Sequence, residues 1–321
     1  MNVDVLGDPY RARVIDCGRD DEGPLVATLV SRPARKPTGR AVLFLHGYVD
    51  YFFHTHVADA LVDLGFDFYA LDLRRSGRSL RPGQTPYYMD SVEEYFEEID
   101  AAVDIIRRVD GHDTLVMLAH STGGLTAALW AHDRRRDGLL DALVLNSPFL
   151  DFAGGPLARA TVLPALLLLG RFRPRAHLAR RSSGVYGRSL HVSRDGAWDY
   201  NLDWKPIGSL PPRAGWVRAA RLAQRRVHAG LAIDVPILVA CSTGSYLKGV
   251  WNERASRNDT VLDTNLIARW APMLGRHVTV TRVDGGLHDL TLSEVGVRRV
   301  LSDRFRRWVE AWVPTGRTAD A

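Results

Sequence analysis

Ser121 stands at a corner. An apolar run, Leu115-Val116-Met117-Leu118, passes through Ala119-His120-Ser121-Thr122-Gly123-Gly124 into a helix-forming segment, Leu125–Trp130. A serine between a buried strand and a helix is a nucleophile elbow. The two backbones nearly touch there, so the residues two places to either side must be small, and Ala119 and Gly123 are. A serine hydroxyl becomes a nucleophile only when a base takes its proton and a carboxylate orients that base. Of the eleven histidines, His288 in Asp284-Gly285-Gly286-Leu287-His288-Asp289 lies downstream of the elbow, in a glycine-rich loop just past the last expected strand. The acid should follow the strand Val235–Cys241, where Asp259 and Asp263 are the candidates. Asp259 precedes an expected helix and can reach across. Asp263 falls in the helix start, where a negative charge suits the dipole. Asp289 is too close to His288 in sequence to orient it easily, and Asp151 is a lesser alternative. Two backbone donors must hold a developing oxyanion: the N–H of Thr122 and, from the loop after Ala41–Leu45, that of Tyr48. His46 is read as ordering that loop rather than as a second base.

The elements that must position these groups follow a regular rhythm. Tyr10–Asp16 and Leu25–Arg32 alternate apolar and polar and read as antiparallel edge strands. Buried strands are expected over Ala41–Leu45, Asp67–Leu73, Leu115–Leu118 and Asp141–Asn146. Helices are expected over His54–Leu64 and Ser91–Val109, the second with a capping pattern of Asp90 or Ser91 with Glu94. Such alternation implies a parallel sheet wound on both faces, with ligands outside the carboxyl ends of the strands. His46-Gly47, Arg74-Arg75, Ser121 and Ser147 should therefore converge on one rim. From Phe149 the rhythm breaks, with helices near Pro156–Leu169 and Trp216–His228. It resumes with a strand at Val235–Cys241, a helix at Val261–Leu274, a strand at His277–Val283 and a closing helix at Gly296–Val313. The expected division is a catalytic domain of residues 1–148 and 234–321, with 149–233 inserted as a cap or lid; the last eight residues are expected to fray.

Composition narrows the function classes. The 321 residues are 46% apolar and carry a formal net charge of +5. Much of the excess is arginine between Arg171 and Arg226, which would suit an anionic lipid or an acidic substrate. No basic patch interleaved with aromatics points to nucleic acid. Cys17 and Cys241 lie far apart and suggest neither a disulfide framework nor a metal site, so a reducing cytoplasm is the expected location. The N-terminal residues are charged and do not read as a secretory signal. Thr161–Gly170 is too short to span a bilayer, although the apolar, arginine-flanked Thr161–Arg175 segment offers a membrane-docking surface.

The order HG, DLRRSGRS, AHSTGG, NDTVLD, GGLHD resembles an α/β-hydrolase, and in detail the serine hydrolases of the monoacylglycerol lipase and serine aminopeptidase type. In that family the first aspartate of the segment before the histidine is the triad acid, which implies Asp259. The resemblance covers roughly residues 40–150 and 232–312. Two departures stand out: Ala119 replaces the usual glycine, and about 16 residues (Ser242–Arg257) separate the strand from Asp259, where the family has only a few. The resemblance implies hydrolysis of a carboxylic ester through an acyl-enzyme on Ser121, with no metal or organic cofactor and a small-molecule acyl substrate. A serine at the elbow argues against haloalkane dehalogenases and epoxide hydrolases. An apolar acyl group is suggested by Phe149, Phe152, Leu157, Val162, Leu163, Leu166–Leu169, Trp198, Trp204 and Trp216. A peptidase or amidase, a lactonase or a thioesterase would use the same triad, and a ligand-binding receptor on a hydrolase scaffold is the alternative of another class.

Overall fold

A computed structural model of the chain describes residues 1–154, 161–178 and 183–315. Period-2 and continuously apolar segments assemble into one sheet of nine strands among the described residues. They are β1 (Asn2–Val3), β2 (Arg11–Asp20), β3 (Gly23–Arg32), β4 (Arg40–Leu45), β5 (Asp67–Asp72), β6 (Thr114–His120), β7 (Ala142–Asn146), β8 (Ile237–Ser242) and β9 (Val278–Val283). Their order is β1-β2-β3-β5-β4-β6-β7-β8-β9. The first three strands and the β3–β5 pair are antiparallel; every pair from β5 to β9 is parallel. This is the mostly parallel sheet with antiparallel N-terminal strands that the sequence leads one to expect. One detail differs. β3 is no edge strand, because its other side pairs with β5, and the short β1 takes the outer position.

The central strands are buried on both faces, which is why they read as unbroken apolar runs rather than alternating ones. One face packs α2 (Phe96–Asp104) and α3 (Ser121–Asp133) over Leu43, Met117, Leu143 and Val239. The other packs α1 (Thr55–Asp63) over Phe44, Val116 and Val144. The helix expected over Ser91–Val109 is three pieces: a 3-10 turn at Val92–Tyr95, α2, and a π turn at Ile105–Val109. Its capping box forms, with Glu94 accepting from the Ser91 N–H at 3.0 Å.

Within the segment expected as a cap lie α4 (Val162–Phe172), α5 (Val185–Leu190) and α6 (Ala214–His228). Residues 156–160 of the helix expected near Pro156–Leu169, Leu157 among them, lie outside the described residues, as do 316–321 of the tail. α6 buries Trp216, Val217, Ala220 and Val227 in the main core beside α3. α4 instead leaves Val162, Leu168 and Phe172 exposed. No helix of the described residues is long and apolar enough to cross a membrane. The chain closes with α7 (Thr264–Trp270) and α8 (Val295–Trp312). Helix α7 is shorter than the expected Val261–Leu274 because the Asp259 carboxylate takes the N–H groups of Val261 and Leu262, both at 2.8 Å, and holds them outside it.

β4 lies where the strand order reverses, with β5 on one side and β6 on the other. The crevice beyond β4 and β6 is thus the site such a sheet offers. It is closed tightly at Gly123, where an added Cβ would sit 2.3 Å from the carbonyl oxygen of His46 and 2.9 Å from that of Leu45. Gly296, inside α8, has open space around its Cβ position. Gly123→Ala should therefore cost about 3 kcal/mol or more, whereas Gly296→Ala should stabilise by about 0.5–1 kcal/mol. Urea unfolding of both variants checks the contrast, which similar midpoints would abolish.

Candidate active site

Ser121 is the first residue of α3, at φ 53°. That left-handed conformation is uncommon for a residue with a Cβ, and it turns the hydroxyl out of the corner between strand and helix. Strain of this kind persists only where the surroundings impose it. Here β6 is locked between β4 and β7, and Gly123 is pressed against the end of β4. Ala119, two residues before the serine, is fully buried in β6.

The structure brings Ser121, His288 and Asp259 together. Ser121 Oγ lies 2.9 Å from His288 Nε2, and His288 Nδ1 lies 2.9 Å from Asp259 Oδ2. With Nδ1–H donating to the carboxylate, Nε2 is left to accept the serine proton. The three residues are 8%, 3% and 0% exposed, so water competes little for these bonds. Asp263 is not in this group; its carboxylate caps α7 by accepting from the Asn265 N–H at 3.0 Å. Asp151 is also elsewhere, accepting from Arg221 and from the Trp270 indole.

The long loop after β8 does not carry Asp259 away. Its two ends pinch together: Asp259 N–H donates to Gly244 O at 3.0 Å and Tyr246 N–H donates to Asp259 O at 2.7 Å. The excursion between them packs Tyr246, Trp251 and Ala255 against Val185 of α5. The extra residues thus support α5.

The loop after β4 is fixed by His46, whose Nδ1 bonds Gly47 O at 2.8 Å and whose Nε2 accepts from the Leu73 N–H at 3.1 Å. Val49 in the same loop has φ 49°, a strained value for a β-branched residue. Thr122, second in α3, belongs to the first turn, where backbone N–H groups have no intrahelical acceptor. Tyr48 and Thr122 both line a cavity of about 10 Å³ beside the elbow, room for about one water-sized group.

Residues 36–248 match the family described as serine aminopeptidase, S33. The chain belongs to that family. Over 175 residues it is also 33% identical to the uncharacterized protein YnbC of Escherichia coli K12. That match covers 53% of this chain and spans 28% of the length of that protein. Two solved structures share the fold. The monoacylglycerol lipase of Paleococcus ferrophilus is 20% identical with a TM-score of 0.64, covering 89% of this chain and 98% of that one. A soluble variant of the Saccharomyces cerevisiae monoglyceride lipase, in complex with a substrate analog, is 16% identical with a TM-score of 0.68, covering 94% and 97%. The fold is that of the α/β-hydrolases.

Behind His288, this S33 family chain holds a buried polar cluster that motif reading did not find. Asp289 Oδ2 accepts from His54 Nε2 at 3.0 Å, and its Oδ1 accepts from Asn146 Nδ2 at 2.7 Å. Asp50 Oδ1 lies 2.6 Å from the ammonium of Lys205, which reaches in from the stretch between β7 and β8 and is ringed by Phe53, Tyr186 and Tyr200. Ligand atoms of Asp50, His54 and Asp289 lie within 4.8 Å of one another, close enough to share a cation. The Lys205 ammonium serves Asp50 in that role. Burial alone would raise both carboxyls. For Asp50 the charges of Lys205, His54 and His120 outweigh it, and the carboxyl is lowered. For Asp289, His120 and the bonds and charge of His54 hold it well below the carboxylate range. The only sequence signal was the density of His and Asp between His46 and His56.

His120, whose ring lies 4.8 Å from that of His288, is pushed down to about 4 by burial, with the His288 charge adding to the effect. It is neutral at pH 7. An unfolded histidine titrates near about 6.5, so below that pH the unfolded chain takes up a proton that the folded one refuses. Stability therefore falls as pH drops from 6.5 toward 4, by about 2 kcal/mol at pH 5 from this residue alone. Urea unfolding at pH 7 and pH 5 should show a smaller loss in His120→Asn than in the wild type; an equal loss in both would show that His120 is not buried neutral.

Proposed function

We propose that the protein is a serine hydrolase of carboxylic esters, with Ser121 as nucleophile, His288 as base and Asp259 as the orienting acid. The observation that carries this reading is the unbroken Ser121–His288–Asp259 chain at 2.9 Å and 2.9 Å, with the serine at φ 53°. Ser121 Oγ attacks the acyl carbonyl while His288 Nε2 takes its proton, and Asp259 stabilises the imidazolium. The N–H groups of Tyr48 and Thr122 stabilise the oxyanion, where removal of a donor typically costs about 100–1,000-fold in kcat. The alcohol leaves with the proton from His288, and water then repeats the sequence on the acyl-enzyme.

For the substrate we infer an apolar acyl group. Phe152, Phe149, Trp216 and Tyr48 form a continuous aromatic row beside the elbow, with ring centroids 4.8, 6.1 and 4.5 Å apart, and Phe149 N–H donates to the carbonyl of Ser121 at 2.9 Å. The similar structures include monoacylglycerol lipases, which makes a glycerol ester the first class to assay. Residues 149–233 serve as the cap: Tyr186 of α5 sets its ring edge-on to His288 at 5.4 Å, and Lys205 anchors the segment to Asp50.

A fluorophosphonate probe tests the assignment. Peptide mapping should place the adduct on Ser121. Labelling should vanish in Ser121→Ala and slow by about 1,000-fold or more in His288→Ala and Asp259→Asn. A folded protein that takes no adduct at Ser121 would remove the hydrolase reading and favour a receptor that binds an acyl ligand and releases it unchanged. An ester, amide, thioester and lactone panel then separates the reactions the same triad can perform.

A further inference from the structure

A second cavity lies on the opposite face of the sheet from α3. Its volume is about 280 Å³, its walls are α1 and α8, and its floor is Leu118, Val144 and Leu238. Helix α8 seats on the sheet at its far end, where Trp308 and Val309 are buried, and along the outer strands, where Val297 and Leu301 pack on Ala240 and Val283, while Val295 at its start is 52% exposed; the room lies between these contacts and α1. The sheet residues beneath would otherwise be covered by helix side chains, as they are under α3. A cavity of roughly 150 Å³ lined by aliphatic side chains accepts benzene. This one is about twice as large and holds an unbranched chain of about ten carbons by the same measure.

The mouth differs in chemistry from the floor. Arg298 and Arg299 both line it. Arg298 donates through Nε to Ser293 O at 3.1 Å and stacks its guanidinium 5.1 Å over Trp198. Among the described residues, neither arginine has a carboxylate partner within ion-pair distance. His56, also at the mouth, is held neutral at ordinary pH by burial, which pushes it down to about 4. The cavity thus presents two uncompensated guanidinium groups above an aliphatic slot, and a guanidinium fork matches a carboxylate.

We propose that this cavity binds a free medium-chain fatty acid, with its carboxylate at Arg298 and Arg299 and its alkyl chain over Leu118, Val144 and Leu238. The site is separate from the elbow and does not rest on the ester-hydrolase reading. It nevertheless touches the loop of His288. Asn146 and Thr291 also line it, and both donate to the carboxylate of Asp289, the residue after His288. An occupant therefore packs against the groups that seat that loop.

The test uses decanoate, its uncharged counterpart decanol, and a decanoate carrying a terminal diazirine. On irradiation, the diazirine probe should mark peptides of 57–64 and 295–305. Wild-type protein should bind decanoate at least tenfold more tightly than decanol. Arg299→Gln, on an exposed side chain, and the double change with Arg298→Gln should each weaken decanoate at least tenfold while leaving decanol binding as it was. Ser302→Trp, which fills the exposed wall, should abolish binding of both, with thermal unfolding confirming that each variant is folded. Adducts confined to the neighbourhood of Ser121 or to 161–233 would overturn the proposal, as would decanol binding as tightly as decanoate. So would decanoate binding unchanged in both the arginine and the Ser302 variants.

Discussion

The close approach of β6, α3 and the end of β4 sets the geometry on which the rest depends. Gly123 faces the carbonyl oxygens of Leu45, the last residue of β4, and of His46, the next, and a Cβ there would clash with both. That contact fixes where α3 begins. It forces Ser121 to φ 53° and keeps Thr122 in a first helical turn, beside the same small cavity as Tyr48. A hydroxyl on a relaxed strand or helix would lie along the surface of its element. Here it is turned toward His288, and the strain is sustained by a sheet buried on both faces.

The partners arrive by a different route. Asp259 and His288 come from loops after β8 and β9, one of them long, and both are tied at their bases. The pairing of Gly244 and Tyr246 with Asp259 turns an extended loop into a fixed arm. Asp289 anchors the histidine loop through Asn146 and His54, elements of β7 and of the entry to α1. The stretch between β7 and β8 is tied into the same framework. α6 lies in the core and Lys205 neutralises a carboxylate behind the histidine, so removing Lys205 would leave Asp50 buried without its ion-pair partner. Breaking such a pair typically costs about 3–5 kcal/mol.

Much of this was legible in the sequence because it depends on local rules. Unbroken apolar runs mark the central strands, a serine between small residues marks the corner, and glycines flank a histidine past the last strand. Its place before the expected helix and the resemblance favour Asp259 over Asp263, but the pinch at Gly244 that turns its carboxylate toward His288 while Asp263 caps α7 follows from no local rule. The Asp50–Lys205 pair joins residues 155 positions apart and His54–Asp289 joins residues 235 apart; no spacing announces either. The cavity between α1 and α8 was equally silent, because apolar residues at helical spacing mark α8 as amphipathic without showing how closely it approaches α1 across the sheet. The two departures from the family pattern also find physical roles. Ala119 fits within β6, and the long loop braces α5.

The central claim is that Ser121 carries an acyl group during turnover. Rapid mixing with p-nitrophenyl butyrate, acid quenching and peptide mapping test it most directly. The account predicts a burst of p-nitrophenol of about one equivalent and a butyryl group on the peptide containing Ser121, absent from Ser121→Ala and barely formed in His288→Ala. Ester cleavage that continues in Ser121→Ala, or a butyryl group found only on another side chain, would contradict it.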